Sequence, residues 1–394
     1  MSQRVFIAGI GAISSIGMNI PETLASLESG QAGMASMHHL VSAHKNAFPV
    51  AEVKAGNEEL AAKAGLKRPL SRTAMLSLLA ASEALNSCNI SDRTRLRCGF
   101  ISANTVGGMD RTEEFFSDGA LRLRDIANHE CGAVTDIVAE KLGLTDVIST
   151  ISTACSSSAN SIFYAARLIR HGYADLVVAG GVDSLTKFTL NGFNTLMILD
   201  REACRPFDQT RKGLNLGEGA GYLVMVSERV LETCKLVPLA VLSGYANAND
   251  AYHQTASSPD GTGSYLAMKG AIQRSGLEPS DIDYINLHGT GTSNNDLSEG
   301  TAITRLFGER IPFVGSTKTF TGHTLGASGG LEAVFSVLAL KEDMVFPHLR
   351  HEEQMKEISF KPQTSLVRNA NLQHVMSNSF GFGGNCSSLI FSKQ

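Results

Sequence analysis

The 394-residue chain has no run of 18 apolar residues and no excess of positive charge. The first absence argues against a transmembrane helix. The formal net charge of −4 argues against a nucleic-acid-binding protein that relies on overall charge, so we expect neither a membrane nor a nucleic acid as a partner. Charged residues make up only 18% of the chain against 43% hydrophobic residues, which excludes a disordered protein and predicts a large core.

The seven cysteines, an odd number, are scattered along the chain without a CxxC pair. This pattern disfavours a disulfide framework and favours a reducing, cytoplasmic location. The histidines likewise form no HxxxH or HxH pair, so we predict no metal site.

Short apolar runs, mostly without alternation, recur between helical patterns, as is typical of strands buried on both faces. Strands are predicted at Val5–Ala8, Cys98–Ser102, Val147–Ser152, Leu176–Ala179, Gly221–Val226, Val241–Gly244, Tyr284–Leu287, Phe313–Val314 and Ser388–Phe391. Helices are predicted between many of them, as at Ser71–Leu85 and Ser158–His171. This alternation predicts an α/β fold with largely parallel or mixed sheets.

Two segments of the chain resemble each other weakly. Cys155–Gly172 and Gly326–Asp343 are both small-residue turns that run into a helix. If this is an internal repeat, the chain consists of two similar halves that divide near residues 230–240. Two unrelated helix starts rich in small residues explain the pattern equally well.

Cys155 is the candidate nucleophile. It follows a β-branched strand and precedes a helix with an apolar stripe, so it falls at a strand-to-helix turn. The positive end of a helix dipole lowers the pKa of a thiol and leaves backbone N–H groups free to bind an oxyanion. The alternative is a buried cysteine with a packing role only.

Two histidines stand in polar, glycine-rich contexts. His288 ends a predicted strand and precedes Gly289, at the strand end where open α/β sheets bind ligands. His323 lies between Lys318 and Glu332 in a loop of glycines and threonines. Such a loop suits the positioning of polar groups, although a lone histidine is more often structural.

Three glycine-rich stretches remain. Gly9–Ser14 lacks the third glycine of a dinucleotide-binding loop and predicts a turn. Gly213–Gly221 lacks the Lys-Ser/Thr pair of a phosphate-binding loop and favours tight backbone packing. Asn378–Cys386 precedes the final strand, where glycines allow close approach and can present N–H groups to a ligand.

Taken together, seven segments resemble the β-ketoacyl-acyl-carrier-protein synthases, the decarboxylating condensing enzymes of the thiolase superfamily. The segments are Thr153–Ser157, Arg205–Asp208, Gly217–Gly221, Asp250–His253, His288–Thr292, Lys318–His323 and Asn378–Gly384. Each is weak alone, but their order and spacing match along nearly the whole chain. The resemblance outweighs the structural interpretations of the cysteine and the histidines.

The resemblance implies a thiolase-like α/β fold, a duplicated α-β-α-β-α arrangement of layers with two mixed sheets. It implies an N-terminal half, residues 1–235, that carries the nucleophile and a C-terminal half, residues 236–394, that carries two catalytic histidines. It also implies a homodimer, or a heterodimer with a chain-length partner subunit.

The resemblance also implies roles for particular residues. The implied catalytic residues are Cys155, His288, His323 and Lys318. The implied supporting residues are Glu332, Asp296, Thr290 and Thr292. The residues implied for the oxyanion hole and an aromatic gate are Cys155, Phe382, Phe380 and Gly383.

In the implied reaction, Cys155 attacks an acyl thioester on the phosphopantetheine of an acyl carrier protein. A malonyl carrier protein then loses carbon dioxide, and neutral His288 and His323 hold the enolate oxygen. The enolate carbon takes the acyl group, which gives a 3-oxoacyl carrier protein two carbons longer. No bound cofactor is expected, because the phosphopantetheine belongs to the substrates.

The sequence departs from the common fatty-acid branch at three places. The link from Phe193 to Arg205 is short, Leu214-Asn215 stands where Phe-Val is usual, and Asn385-Cys386 stands where Thr-Asn is common. These departures look more like synthases of pigment or polyene pathways, and an ordinary fatty-acid synthase remains the alternative.

Carrier proteins of this class are acidic, so this net-negative chain needs a local basic patch to bind one. The candidate docking residues are Lys67, Arg68, Arg72, Arg211 and Lys212. A solvated helix face explains any single one of them as well.

Three other functions compete with the synthase. A thiolase needs a second cysteine, for which Cys386 is available, but the two-histidine pattern opposes it. A non-catalytic chain-length subunit characteristically lacks the nucleophile, whereas Cys155 is present. In a Cys-His hydrolase, water attacks the acyl-enzyme, and release of carbon dioxide from a malonyl thioester separates the two reactions.

Overall fold

The computed structural model describes residues 3–90, 92–116 and 126–394. Its main strands are β1 (Val5–Ser14), β2 (Cys98–Ala103), β3 (Val147–Ile151), β4 (Leu176–Asp183), β5 (Gly219–Ser227), β6 (Ala240–Asn249), β7 (Tyr284–Asn286), β8 (Phe313–Gly315), β11 (His374–Phe380) and β12 (Asn385–Ser392). Two short strands, β9 (Met344–Val345) and β10 (Val367–Arg368), pair separately. The ten main strands form one mixed sheet in the order β3-β2-β4-β5-β1-β6-β12-β11-β7-β8.

The sheet consists of two five-stranded parts with the same topology. Numbered within each part, both have the strand order 3-2-4-5-1. In both, the first two pairings are parallel and the last two are antiparallel. The parts meet at a narrow seam, where β1 and β6 pair at Phe6–Val241 and Ile7–Ala240. The two predicted mixed sheets are therefore present and joined at this seam.

The helices are α1 (Ile20–Ser29), α2 (Asn57–Lys63), α3 (Arg72–Ser87), α4 (Met109–Phe116), α5 (Cys131–Leu142), α6 (Ser157–Arg170), α7 (Lys187–Thr195), α8 (Glu228–Thr233), α9 (Thr262–Ser275), α10 (Ser293–Phe307), α11 (Lys318–Thr321) and α12 (Ser328–Glu342). Helix α3 begins as predicted because the Ser71 side chain accepts a hydrogen bond from the N–H of Ala74. Among the described residues, no helix has the length and apolar character needed to cross a membrane.

Five layers follow from the helix contacts. Helices α6 and α12 contact each other and lie between the sheet parts, since both touch β4 and β5 on one side and β12 on the other. Helix α3 covers the outer face at β1 and β5, and α9 covers the outer face at β6 and β12. Separate apolar clusters fill these interfaces. The thiolase-like order of layers is confirmed, and the two weakly similar segments correspond to the starts and bodies of α6 and α12.

One local expectation was wrong, and one strand was not predicted. Gly9–Ser14 is not a turn but continues β1. Glycine is needed at two of these positions, because β-carbons at Gly9 and Gly11 would lie 2.3 and 2.1 Å from carbonyl oxygens of α3. These glycines let α3 approach the strand closely. Strand β11 was not predicted, because its polar residues Ser377, Asn378 and Ser379 interrupt the apolar run although all three are buried.

Candidate active site

Cys155 lies in a tight turn between β3 and α6. The preceding Ala154 has a φ of +53°, a left-handed conformation that alanine rarely adopts. The N–H of Thr153 donates to Ser157 Oγ at 2.8 Å, which closes the turn. A β-carbon at Gly381 would lie 3.1 Å from the Cys155 backbone nitrogen, so glycine lets this second loop approach the turn. The strained turn thus places the cysteine at the start of α6.

Burial dominates the electrostatics of the Cys155 thiol. Its removal from water raises its pKa to about 11, although the backbone N–H of Phe382 and the charge of Lys318 act in the opposite direction. The expectation of a lowered pKa at this helix start is therefore wrong, because the contacts that lower the pKa do not outweigh desolvation. The resting side chain is a neutral thiol with hydrogen-bond donors directed at it.

His288 is buried just after β7 and is held from two sides. Its backbone N–H and that of Gly289 donate to the two carboxylate oxygens of Glu299 at 2.9 and 2.8 Å. Lys318 Nζ lies 3.2 Å from the ring nitrogen Nδ1. An ammonium group donates only, so Nδ1 accepts and the ring proton sits on Nε2. Lys318 therefore fixes the tautomer of this histidine.

His323 has the same tautomer as His288, but a backbone N–H fixes it in place of a lysine. The backbone N–H of Leu325 donates to its Nδ1 at 3.0 Å, which leaves the proton on Nε2. Burial first, and the charge of Lys318 second, lower the pKa of both histidines well below the usual value. Both rings are neutral near pH 7, and each offers one Nε2–H donor.

The fold brings together the three groups that the sequence placed far apart. The Cys155 sulfur and one ring nitrogen of each histidine lie within 4.8 Å of one another. The two imidazole centroids are 5.5 Å apart at an interplanar angle of 89°. One sulfur and two nitrogens form a donor set that zinc uses elsewhere. The adjacent Lys318 ammonium and the protons on both Nε2 atoms disfavour a cation, so these residues fit a group that becomes anionic.

Lys318 and Glu332 form a buried ion pair next to His288. Both are almost completely removed from solvent, and burial raises the pKa of Glu332 to about 7 against the opposing effect of Lys318. The pair keeps the Lys318 ammonium group close to both histidines. The sequence alone showed only that Lys318 and Glu332 lie near His323 along the chain.

Asp183 is a site residue that the sequence analysis missed. Its carboxylate accepts hydrogen bonds from Thr105 N and Oγ1 at 2.8 and 2.7 Å, from Val106 N at 3.1 Å and from Gly326 N at 2.7 Å. The Gly326 carbonyl in turn accepts a hydrogen bond from Ser158 Oγ in α6. Gly326 is thereby clamped between the nucleophile helix and the end of β4. An acidic residue at the end of an otherwise apolar, glycine-containing stretch was the only sequence signal.

Glu299 and Asn385 were also missed as positioning residues. Glu299 additionally accepts a hydrogen bond from the Asn378 side chain at 3.1 Å, which links the His288 loop to β11. Asn385 Oδ1 accepts from Ser156 Oγ at 2.7 Å, next to the nucleophile, and from Asn160 Nδ2 at 2.9 Å. Asn385, one of the departures from the common fatty-acid branch, therefore helps to hold the turn that carries Cys155.

The other supporting residues shape the loop after His288. Asp296 is buried and accepts hydrogen bonds from the N–H groups of Thr290 at 3.1 Å and Phe207 at 2.8 Å. The hydroxyls of Thr290 and Thr292 lie 2.9 Å apart, and both residues line the pocket above Cys155. Asp296 therefore acts on the backbone of this loop, whereas the threonines face the pocket.

Phe382 and Phe193 close the pocket. Their rings are 5.9 Å apart and nearly parallel, with an interplanar angle of 17°. Phe380 is buried with its ring 5.9 Å from that of His288. Gly383 has a φ of +80°, but its N–H donates to the Gln254 carbonyl at 2.7 Å and is not free for an oxyanion. The Gly383 N–H is therefore not available to an oxyanion hole.

The pocket is a narrow cavity of about 80 Å³ with Cys155, both histidines and Phe382 in its wall. Its apolar side is formed by Phe193, Ile198 and Leu214, two of which come from the short link and one from the Leu214-Asn215 departure. The neighbouring Asn215 instead ties that link together, since Oδ1 accepts from Cys204 N at 2.7 Å. The rings of Phe193 and Phe382 therefore limit the free volume next to Cys155.

Cys386 lies outside this pocket. It is buried in the apolar cluster of the second sheet part, with its sulfur 3.9 Å from Ser264 Oγ. Burial raises the pKa of this thiol to about 12. The arrangement gives no second cysteine for thiolase chemistry.

Two of the candidate docking residues are wrong. Arg72 is 6% exposed and pairs with the buried Glu218 at 2.6 Å. The Arg211 side chain is 7% exposed and lies 3.8 Å from Asp296. Charge and helical context suggested surface positions for both, but they stabilise buried carboxylates. Lys67, Arg68 and Lys212 are exposed and remain candidates.

Comparison with known protein families gives two matches. The N-terminal domain of the beta-ketoacyl synthases matches residues 2–230, and their C-terminal domain matches residues 239–352. The 3-oxoacyl-[acyl-carrier-protein] synthase 2 of Staphylococcus aureus (strain N315) is 33% identical, over 100% of this chain and 99% of that protein. A putative mitochondrial 3-oxoacyl-[acyl-carrier-protein] synthase of Schizosaccharomyces pombe is 30% identical, over 99% of each.

Two solved structures are similar over their full length. The ishigamide ketosynthase/chain length factor has a TM-score of 0.91 and 27% identity, covering 100% of both chains. The ketosynthase ApeO, in complex with its chain length factor ApeC from Xenorhabdus doucetiae, has a TM-score of 0.85 and 29% identity, covering 100% of this chain and 98% of the other.

Proposed function

Because the chain belongs to the beta-ketoacyl synthase family, we propose that Cys155, His288 and His323 carry out its acyl transfer and condensation. The enzyme is a condensing acyltransferase of the 3-oxoacyl-carrier-protein synthase type. The observation that carries the residue assignment is the meeting, within 4.8 Å, of the thiol and one ring nitrogen from each of two neutral histidines. The proposed substrates are acyl and malonyl thioesters on the phosphopantetheine of an acyl carrier protein, with no separate bound cofactor.

In the first half-reaction, Cys155 Sγ bonds to the acyl carbon and the bond to the pantetheine sulfur breaks. The proton of the Cys155 thiol ends on the departing pantetheine sulfur, so this step takes no proton from the solvent and releases none to it. The N–H groups of Cys155 and Phe382 form the proposed oxyanion hole. The backbone N–H of Phe382 is directed at the Cys155 thiol and acts to lower its pKa, which supports this placement.

In the second half-reaction, the malonyl carboxylate leaves as carbon dioxide and its electron pair becomes an enolate. The Nε2–H groups of His288 and His323 hold the enolate oxygen, since both rings are neutral donors. The enolate carbon then bonds to the acyl carbon, and Cys155 leaves as a thiolate that takes a proton from water. Lys318 adds positive charge beside the same oxygen.

The test follows each half-reaction separately. Incubation with an acyl carrier protein is expected to add one acyl mass, and peptide mapping should place it on Cys155. Added malonyl carrier protein should then release carbon dioxide and remove that mass as 3-oxoacyl product. Cys386→Ala serves as the matched control and should still be labelled. Labelling that persists in Cys155→Ala would refute the assignment.

We propose that Lys67, Arg68 and Lys212 dock the carrier protein, because they are exposed and basic on a net-negative chain. The proposed assembly is a homodimer, or a heterodimer with a chain-length subunit. Strand β3 supports either, since it is an edge strand with Ile148 37% exposed. Light scattering should give twice 41.9 kDa for a homodimer, and a monomeric mass without a partner would favour the heterodimer.

We also propose that the chain divides into structural halves at residues 235/236, since this boundary falls between the two five-stranded parts. The proposed location is the cytoplasm, which the seven free thiols support.

The proposed acyl substrate is an unsaturated, polyene-type chain. Phe193 and Phe382 present nearly parallel rings, and Leu214 and Ile198 complete an apolar slot. A conjugated chain is flat and rigid, whereas a saturated chain loses freedom at each C–C bond, at about a few tenths of a kcal/mol per rotor. Several such bonds amount to roughly a tenfold preference, since about 1.4 kcal/mol is tenfold.

The comparison to make is kcat/KM for saturated and polyenoyl carrier proteins of equal chain length. The polyenoyl substrate is expected to be used about tenfold better. Equal or better use of the saturated chain would favour ordinary fatty-acid synthesis, the alternative for this enzyme.

A further inference from the structure

A second cavity, of about 370 Å³, lies at the far end of α6 from Cys155. It is lined by Phe163, Arg167, Arg170, His171, Tyr245 and Arg274. The 14 residues of α6 separate Cys155 from this end of the helix, which corresponds to about 20 Å. The cavity is therefore separate from the pocket where the proposed condensation occurs.

The three arginines of this cavity are held by aromatic rings. The guanidinium carbons of Arg170 and Arg274 lie 5.0 and 5.1 Å from the centroid of Tyr245, and that of Arg167 lies 5.8 Å from Phe163. The rings of Tyr245 and Phe163 pack edge to face at 4.9 Å. Stacking uses the faces of a guanidinium and leaves its N–H edges available for an anion.

These arginines have few other partners. Within the part of the chain that the structure describes, none of the three takes part in an ion pair. Arg274 donates one hydrogen bond, to the Tyr245 carbonyl at 3.1 Å, and Arg170 Nε is buried without a partner. Three adjacent positive charges repel one another unless an anion joins them.

The two helix ends at the cavity account for only part of this charge. Arg167 and Arg170 are in the last turn of α6, and Arg274 is in the last turn of α9. Each helix C-terminus contributes about −0.5 elementary charge. About two positive charges are left, which matches the charge of about −1.5 to −2 on a phosphate monoester at pH 7.

We propose that this cavity is a binding site for a dianionic phosphate group. Bidentate hydrogen bonds from the stacked guanidinium groups recognise the phosphate oxygens. The remaining volume accepts a small organic group attached to the phosphate, which would contact Phe163 and Tyr245. The ligand is either free phosphate or a phosphate on a larger molecule such as a nucleotide.

The test measures binding by calorimetry at constant ionic strength, with inorganic phosphate, adenosine 3′,5′-bisphosphate and chloride as probes. Saturable binding of a phosphate probe is expected, with no saturable binding of chloride. Tighter binding of the nucleotide than of inorganic phosphate would identify a larger ligand, and the reverse would identify free phosphate. Absence of saturable binding by both phosphate probes would overturn the proposal.

Two variants locate the site. Arg274→Gln, at an exposed position, and Arg170→Gln should each weaken phosphate binding roughly tenfold or more, the effect of losing a charge-assisted hydrogen bond. The matched control is Arg305→Gln, because Arg305 also stacks on an aromatic ring, 3.9 Å from the Tyr265 centroid, outside the cavity. Equal binding by Arg274→Gln and the control would overturn the site, and labelling of Cys155 checks that each variant is folded.

Discussion

Replacing Asp183 by asparagine should show whether Asp183 positions His323 for the reaction or only stabilises the folded protein. The Asp183 carboxylate holds Gly326, three residues after His323, through a hydrogen bond of 2.7 Å. Asparagine has the same shape but only one acceptor oxygen. If that oxygen keeps the N–H groups of Thr105 and Val106, the amide NH₂ faces the N–H of Gly326, and this hydrogen bond is lost.

The size of the effect follows from the lost contact. A hydrogen bond to a charged acceptor contributes about 1.5–3 kcal/mol, and the Gly326 N–H is left unpaired in a buried place. We expect the variant to lose about 2–3 kcal/mol of unfolding free energy. Displacement of a positioned group by about 1 Å can lower a rate about 100-fold. Decarboxylation should therefore fall much more than acyl transfer to Cys155, which relies on the backbone oxyanion hole.

The assay compares both half-reactions and urea unfolding in wild type, Asp183→Asn and the control Thr105→Val. The control removes the hydroxyl bond to Asp183 at 2.7 Å and keeps the bond to Gly326. It should lose stability without changing the ratio of decarboxylation to acyl transfer. An Asp183→Asn enzyme with the wild-type ratio of the two activities would refute the positioning role.

The same residue has a signature in the pH dependence of stability. Burial raises the pKa of Asp183 from 3.8 to about 6. The folded protein then binds a proton more tightly than the unfolded chain, so this group's contribution to stability falls as pH rises from about 4 to about 6. The slope reaches at most about 1.4 kcal/mol per pH unit and should be absent from Asp183→Asn. Parallel stability curves for the two proteins over this window would contradict the burial argument.

Three further predictions address the proposed site and its partner. His288→Ala or His323→Ala should lower carbon dioxide release by roughly 10²–10³, and unchanged release would remove the enolate role. Alkylation of Cys155 by iodoacetamide should rise about tenfold per pH unit between pH 7 and 10, because burial raises the pKa of this thiol to about 11. A plateau below pH 8 would show a stabilised thiolate. Charge reversal at Lys67 and Arg68 should raise the KM for carrier protein and weaken its salt dependence, and an unaffected KM would place docking elsewhere.

The sequence predicted the class of fold because apolar strand-length runs and helical stripes report burial directly. The prediction from sequence failed where polar residues are buried. Strand β11 carries buried serines and an asparagine whose partners, such as Glu299, come from distant parts of the chain. The glycines of β1 were interpreted as a turn, because the sequence does not show that α3 packs closely against this strand and requires glycine there.

The same limit applies to the site. The thiol and both histidines were found from short patterns at strand ends and helix starts. The pKa of Cys155 was predicted in the wrong direction, because local helix context does not show how completely later segments cover the thiol. Arg72 was predicted at the surface because it follows Lys67 and Arg68 in a basic cluster. In the structure it is buried, because it pairs with Glu218 from a distant part of the chain. Contacts between distant segments determine both outcomes.

Helix α12 has a consequence for how the chain is made. All of its residues from Ser328 to Leu340 are buried, and they pack against β4 and β5 of the first sheet part. About 100 residues separate the end of β5 from the start of this helix, so at about 5–20 residues per second the ribosome takes roughly 5–20 s to supply it. During that time the inner face of the first part is covered by α6 but not by α12. Residues 1–235 made alone should therefore bind hydrophobic dyes and aggregate, and a soluble, monomeric fragment would show that α6 alone is sufficient cover.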